Sequence, residues 1–175
     1  AVALLRRAAA DADAGVREQA ARALGEYDGL EAAGALAEFV VDDDATVAKA
    51  AAQSMAELKD PEAGEALMPL VAHESAFVRA SALRGLRELR RPDALQIALQ
   101  ALADDDVAVR TEAIGTIGFL KLEEAIPALK AAAKDPEPAV RRAAVSALAF
   151  SQVPAAHETV VASLADPDWM VREIA

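Results

Sequence analysis

The chain has no cysteine, which excludes a disulfide framework, a cysteine zinc site and thiol catalysis. Aromatic residues make up only 3% of its 175 positions. A composition rich in aromatic and β-branched residues, which strands favour, is missing. There is no run of 18 or more apolar residues to suggest a membrane span. No signal-peptide pattern is found either, and a cytoplasmic location is expected. Positive charge is in short supply, with 18 Lys and Arg against 29 Asp and Glu and a formal net charge of −11. That balance argues against broad binding to nucleic acid or to anionic membranes. What the chain does have is 54% apolar residues. Many are alanine, a strong helix former that lets helices approach closely. The expected class is all-α.

The apolar residues are not scattered. Stepping by 31 from Val109 reaches Val16, Val47, Val78, Val140 and Val171, with no insertion. The next residue is Arg17, Arg79, Arg110, Arg141 or Arg172, with Ala48 as the exception. Four residues past each valine stands an alanine: Ala20, Ala51, Ala82, Ala113, Ala144 and Ala175. Eight past it stand Leu24, Met55, Leu86, Ile117 and Leu148. Such a register is the signature of a repeat array.

Each unit reads as two helices. The second begins at a capping position three residues before the valine, occupied by Asp13, Asp44, Ser75, Asp106, Glu137 and Asp168. Within it the apolar positions follow a helical period, as in Val109, Ala113, Ile114, Ile117 and Leu120. The pattern predicts helices at 2–10, 14–27, 31–41, 45–59, 62–72, 76–90, 93–103, 107–120, 123–134, 138–151, 154–165 and 169–175. Pro127 falls in a first helical turn, where its missing N–H costs nothing. Pro69 falls late in its helix and predicts a kink or a broken turn. The short connections make consecutive helices antiparallel neighbours, and stacked pairs share one continuous core. Val78, Ala82, Leu86, Leu89 and their counterparts one period away are expected to be buried. The array is expected to form a single domain over 1–175, a fragment of a longer one.

The run Leu102, Asp104, Asp106, Val109, Arg110, Ala113, Ile117, Gly118, then Ala125, Ile126, Pro127 and Leu129, resembles the HEAT repeat. It is similar to the short bacterial form named after phycobilisome lyases. Asp135, Pro136, Val140, Arg141 and Ala144, and then Asp166, Pro167, Val171 and Arg172, carry the same pattern. The resemblance covers the whole chain. It implies a right-handed α-solenoid of about five and a half antiparallel helix pairs, with the second helix of each pair lining a concave groove. It also implies a ladder in which the loop Asp bonds the Arg after the valine of a neighbouring repeat. The Asp column is Asp11, Asp42, Asp104, Asp135 and Asp166, interrupted by His73. If each Asp meets the Arg of the preceding repeat, Ala48 and His73 delete one and the same rung. The other reading of the Arg column, an anion-binding or catalytic row, serves the repeat itself less well.

Several chemistries can be weighed. HEAT-like deoxyhypusine hydroxylases hold two irons through His–Glu pairs just after the valine, inside the second helix. Here those places carry Glu18, Lys49, Ala80, Thr111 and Arg142 followed by Gln19, Ala50, Ser81, Glu112 and Ala143, with no histidine. His73 and His157 fall in different columns and read as solvated residues. No metal and no cofactor are expected. Ser54, Ser81, Ser146 and Ser163 read as ordinary surface positions with no histidine in register, so no nucleophile is expected. Gly25, Gly85, Gly115 and Gly118 read as sites of close helix packing. HEAT-like DNA glycosylases use a basic groove. Here Arg22, Lys49, Arg84 and Arg142 face Glu18, Glu26, Glu57, Glu88, Glu112 and Glu173, an acidic balance. Arg84, Arg87 and Arg91 share a helical face. They either hold acidic residues of a partner or form a solvated face paired with Glu88.

Ten residues past the valine the column reads Glu26, Glu57, Glu88, Phe119 and Phe150. Leu120 completes the stripe of its repeat, so Phe119 is surplus to the core. It is either part of a binding patch or packed under a terminal loop. Ser151 stands where other repeats carry a core leucine, and Phe150 is a candidate to swing in and replace it. The expected function is a non-catalytic protein–protein scaffold, with Arg22, Gln53, Arg84, Glu88, Glu112, Phe119, Arg142 and Phe150 as contact residues. A partner segment is expected to lie across repeats 3 to 5. A tetrapyrrole-handling subunit of a bilin lyase is the alternative.

Overall fold

The computed structural model describes residues 1–120 and 123–175. They are helical throughout their regular elements, with no strand among the described residues. They form two compact units, Ala1–Arg91 and Pro92–Ala175.

In the first unit, α1 (Val2–Arg7) runs on into a 3-10 turn (Ala8–Ala10) and is followed by α2 (Ala14–Leu24). Then come α3 (Leu30–Phe39), α4 (Ala45–Met55), α5 (Gly64–Leu67) and α6 (Ala76–Glu88). The second helices α2, α4 and α6 pack side by side, and the first helices α1, α3 and α5 form a parallel row against them. The second unit repeats the plan with α7 (Ala94–Ala101), α8 (Val107–Leu120), α9 (Ile126–Ala132), α10 (Pro138–Ala149), α11 (Pro154–Ser163) and α12 (Trp169–Ile174). There α8, α10 and α12 form the row, flanked by α7, α9 and α11.

The 31-residue register explains the burial. Val47, Ala51, Met55 and Leu58 are buried in one repeat, and Val78, Ala82, Leu86 and Leu89 in the next. Val109, Ala113 and Ile117, then Val140, Ala144 and Leu148, do the same in the second unit. Five members of the columns depart from expectation: Val16 is 45% and Tyr27 39% exposed, and Leu120, Ser151 and Ala175 are half-buried. The other five anchor valines, Val47, Val78, Val109, Val140 and Val171, are all buried.

Small residues set the spacing of the helices. A Cβ added at Gly118 would lie 2.9 Å from the Cβ of Ala147, so α8 and α10 touch almost backbone to backbone. At Gly85 it would meet Leu67 Cδ1 at 2.7 Å, where α6 crosses α5. The same closeness overturns the surface reading of the serines. Ser54, Ser81 and Ser163 are buried. Ser54 Oγ donates to the carbonyl of Ala21 on α2 at 3.0 Å, a bond that satisfies a hydroxyl taken out of water.

The helix ends follow local chemistry. Asp13, Asp44 and Asp168 accept from the N–H groups two and three residues on, and Asp106 does the same with Ala108 and Val109. Ser75 and Glu137 occupy the same position without a side-chain cap bond. At Glu137 the N–H two residues on belongs to Ala139, behind Pro138, and the longer side chain does not fold back to it. Pro69 breaks its helix as expected. The chain leaves α-geometry after Leu67 and continues as a 3-10 turn over Met68–Ala72. Pro127 sits in the first turn of α9.

Candidate partner-binding surface

The loop between the two helices of every repeat but the third, which has His73, carries the aspartate of the Asp column. Its side chain folds back on its own backbone: Asp42 Oδ1 accepts from Asp44 N at 2.8 Å, and Asp166 Oδ1 from Asp168 N at 2.8 Å. The remaining capacity faces the preceding repeat. Arg17 Nε and Nη2 donate to the two oxygens of Asp42 at 2.7 and 3.0 Å. Arg110 holds Asp135 at 3.0 and 3.1 Å, and Arg141 holds Asp166 at 2.9 Å through both nitrogens. The third nitrogen of each arginine turns to its own loop, as Arg141 Nη1 does to the carbonyls of Asp135 and Pro136 at 3.0 Å. A planar guanidinium suits this fork, and a charge-assisted bidentate pair is among the stronger hydrogen bonds.

Arg17 holds the Asp42 carboxyl below the usual carboxylate range, outweighing the opposing effect of burial. Arg141 does the same for Asp166. The donors of these arginines are committed to the fold, which leaves no open fork for a bound anion. Asp11 accepts from Asp13 N within its own loop. Asp104 accepts from Asp106 N. Arg79 donates to the carbonyls of His73 and Glu74, and Arg172 to those of Asp166 and Pro167.

At Ala48 and His73 the chemistry changes as a pair. Ala48 is buried. His73 Nδ1 accepts from Ser75 N at 3.1 Å, the bond made elsewhere by an aspartate oxygen. The imidazole therefore keeps the loop turn without bringing a carboxylate to a repeat that has no arginine to meet it. His73 is half-buried rather than solvated. The double change Ala48→Arg with His73→Asp is expected to raise the urea midpoint by more than the two single changes summed. The single changes each bury a charge without its partner. Strict additivity of the three midpoints would show that the two positions do not meet.

A second inter-repeat link had no signal in the motif. Asp28, in the turn after α2, accepts from the N–H groups of Lys59 and Asp60 at 3.1 and 3.0 Å. Burial would push this carboxyl up, but the N–H groups of Asp60, Gly29 and Lys59 outweigh it and hold it low. Only the sequence distance of one repeat between donor and acceptor could have hinted at the contact.

The outward face of the second helices differs between the units. In the first, Arg22, Gln53, Arg84 and Glu88 are exposed. Arg22 pairs with Glu18 at 2.8 Å and Arg87 with Glu88 at 3.0 Å. Arg91 leaves this face: its guanidinium bonds Glu65 and the carbonyl of Pro61, both at 2.9 Å. In the second unit Glu112 is half-buried and Arg142 is exposed, donating to the sulfur of Met170 at 3.4 Å. Phe119 is 40% and Phe150 75% exposed. Phe150 does not swing in to replace the missing core leucine.

His157 bonds the carbonyl of Ser151 at 2.8 Å. Among the described residues no group of three His, Cys, Asp or Glu could hold a metal ion, and no helix is long and apolar enough to cross a membrane.

No curated protein sequence matches the chain. Several solved structures share its fold. The complex of CpcE and CpcF of phycocyanin lyase from a Nostoc species aligns with a TM-score of 0.69 at 21% identity, over 99% of this chain and 74% of that one. YibA from Escherichia coli gives 0.70 at 22%, over 98% and 67%. A designed armadillo repeat protein in complex with the peptide (KR)4 gives 0.59 at 16%, over 98% and 95%. The profile of HEAT repeats matches residues 1–56, 35–114, 69–149 and 98–175. With that match running from end to end over a register of inter-repeat Asp–Arg pairs, the chain belongs to the HEAT-repeat family.

Proposed function

We propose that the chain is a non-catalytic scaffold that binds a protein partner on the outward face of its second helices. The observation that carries this reading is the pair of exposed phenylalanines at equivalent places of their repeats, Phe119 on α8 and Phe150 just past the end of α10. Equivalent positions on α2, α4 and α6 or just beyond them carry Glu26, Glu57 and Glu88. Water-facing aromatic rings are unfavourable for a solitary surface and favourable for an interface, where a few desolvated aromatic or Arg anchors supply most of the affinity. Arg142, exposed near the start of α10, gives a partner carboxylate a separate contact. Glu112 belongs to the same proposed surface of the second unit, and Arg22, Gln53, Arg84 and Glu88 form a polar contact surface of the first unit on its own, where exposed ion pairs add little affinity.

The fold supports this reading without naming the partner. CpcE and CpcF form a complex with each other, and the designed armadillo protein holds a peptide. The test is the paired variant Phe119→Glu with Phe150→Glu, used against partners captured by the wild-type chain. Its helical circular dichroism and melting temperature are expected to stay close to wild type while capture falls at least tenfold. A variant that melts early with loss of helix would place the rings in the core and sink the assignment. Addition of phycocyanobilin serves as the control for the tetrapyrrole alternative, with no shifted absorption band expected.

A further inference from the structure

The rungs Arg17–Asp42, Arg110–Asp135 and Arg141–Asp166 each join the arginine of one repeat to the aspartate of the next. The first repeat carries the aspartate half of a further rung, and the last repeat carries the arginine half. Asp11 Oδ1 accepts from Asp13 N at 2.9 Å, the loop bond that Asp42 and Asp166 also make. Its carboxylate is exposed, and among the described residues no guanidinium forks onto it. Arg172 Nη1 donates to the carbonyls of Asp166 and Pro167 at 2.6 and 2.9 Å, as Arg141 Nη1 does to those of Asp135 and Pro136. This anchor sets the plane of the guanidinium. Nε and Nη2 hold an aspartate at Arg17, Arg110 and Arg141. At Arg172, which is exposed, they meet no carboxylate among the described residues. A repeat array stays separate from its like when its outermost repeats show a polar outer face. Here both half-rungs have apolar company. In the repeat of Asp11, Val16 is the exposed anchor valine, and Leu4 is exposed where Ala35 is buried one repeat on. In the repeat of Arg172, Leu164 is 56% exposed at the place where Val40 is buried. Trp169, 61% exposed, stands one turn before Arg172 and three turns before the place that Gly25 and Gly118 take in their helices. Those glycines press on the following second helix, so the indole lies on the side of α12 turned toward a following repeat.

We infer that these are the two halves of one interface, and that the chain docks head to tail on a second copy of itself, with Arg172 of one copy forked onto Asp11 of the other. Charge selects this pairing. The Arg172 face against the Asp11 face joins opposite charges, whereas two like faces set arginine on arginine or aspartate on aspartate. The fork and its loop are those of the internal rungs, formed on both sides before the copies meet, so little ordering is left to oppose association. Leu4 and Val16 on one face, with Leu164 and Trp169 on the other, supply the apolar area that an exposed ion pair lacks. A contact between two different faces is heterologous and leaves each copy with one face for a further copy. The interface uses neither Phe119, Phe150 nor Arg142, so it stands or falls apart from the proposed partner surface.

Sedimentation velocity of the full chain over a wide range of concentration reads the association. The wild type is expected to gain mean mass as concentration rises and to fall back toward single chains in high salt, which screens the rung. Asp11→Arg and Arg172→Asp each set like charges against each other and are expected to weaken association by about tenfold or more. An equimolar mixture of the two variants is expected to associate again, because the unaltered Arg172 face of the first meets the unaltered Asp11 face of the second. The mixture also guards against local damage, since fraying around either substituted residue spares the face that its chain contributes. Phe119→Glu with Phe150→Glu is expected to associate as the wild type does. A wild type that stays single at every concentration overturns the inference. So does association that survives either charge substitution, is lost with the phenylalanines, or fails to return in the mixture.

Discussion

Leu86→Ala lowers the unfolding free energy by about 2–5 kcal/mol, the range for emptying a fully buried leucine site. Leu86 is inaccessible to water in α6, one residue from Gly85, where α6 presses on α5. The tightness of that crossing limits how far the surroundings can collapse, and residual volume is what raises the cost. Leu4, 70% exposed on α1, is the matched comparison. Leu4→Ala is expected to stay within about half a kcal/mol of wild type. Urea unfolding followed by circular dichroism measures both. A loss below half a kcal/mol at Leu86 would contradict the register from which the whole core is argued.

Arg141→Ala is the second large effect, at about 3 kcal/mol, because it leaves the mostly buried Asp166 carboxylate without its cation. The double variant with Asp166→Ala is expected to recover part of this, since removing both charges costs less than stranding one. Acid sensitivity gives an independent readout. The folded carboxyl of Asp166 lies below its ordinary range. Its contribution is therefore present above the unfolded value of about 3.9 and is lost as pH falls through the folded one. In Arg141→Ala the carboxyl returns toward its ordinary range, so less of the acid-induced loss below about pH 4 is seen. A single variant no less stable than the double would refute the pairing.

The repeat fold was open to sequence reasoning for a physical reason. A buried stripe repeated at a fixed step leaves its period in the choice of valine, alanine and leucine, as the column from Val47 to Val171 does. The ladder was readable as well, because a bidentate pair demands two specific residue types at two fixed places. What escaped was set by packing between helices rather than by pattern along one. Ser54 reads as polar surface until Ala21 of the neighbouring helix supplies its acceptor. Asp28 reads as a turn residue until the Lys59–Asp60 turn is brought beside it. Arg91 belongs by period to the same face as Arg84 and Arg87, yet Glu65 draws it off. Phe150 was legible as an anomaly, but only the folded chain decides whether such a ring turns inward or outward.

The uneven column at Ala48 and His73 bears on how an array of near-copies finds its own order. Repeats that present the same valine, arginine and aspartate at the same step are interchangeable, and misassembly between look-alike units is a characteristic failure of repeat proteins. A slipped pairing of Arg110 with Asp166 would satisfy the same fork as its native pairing with Asp135. A slip that sets Ala48 against an aspartate, or an arginine against His73, leaves one charge stranded. The neutral pair thus works as an address label: it lets the chain tell the junction after its second repeat from every other junction, at the cost of one ion pair.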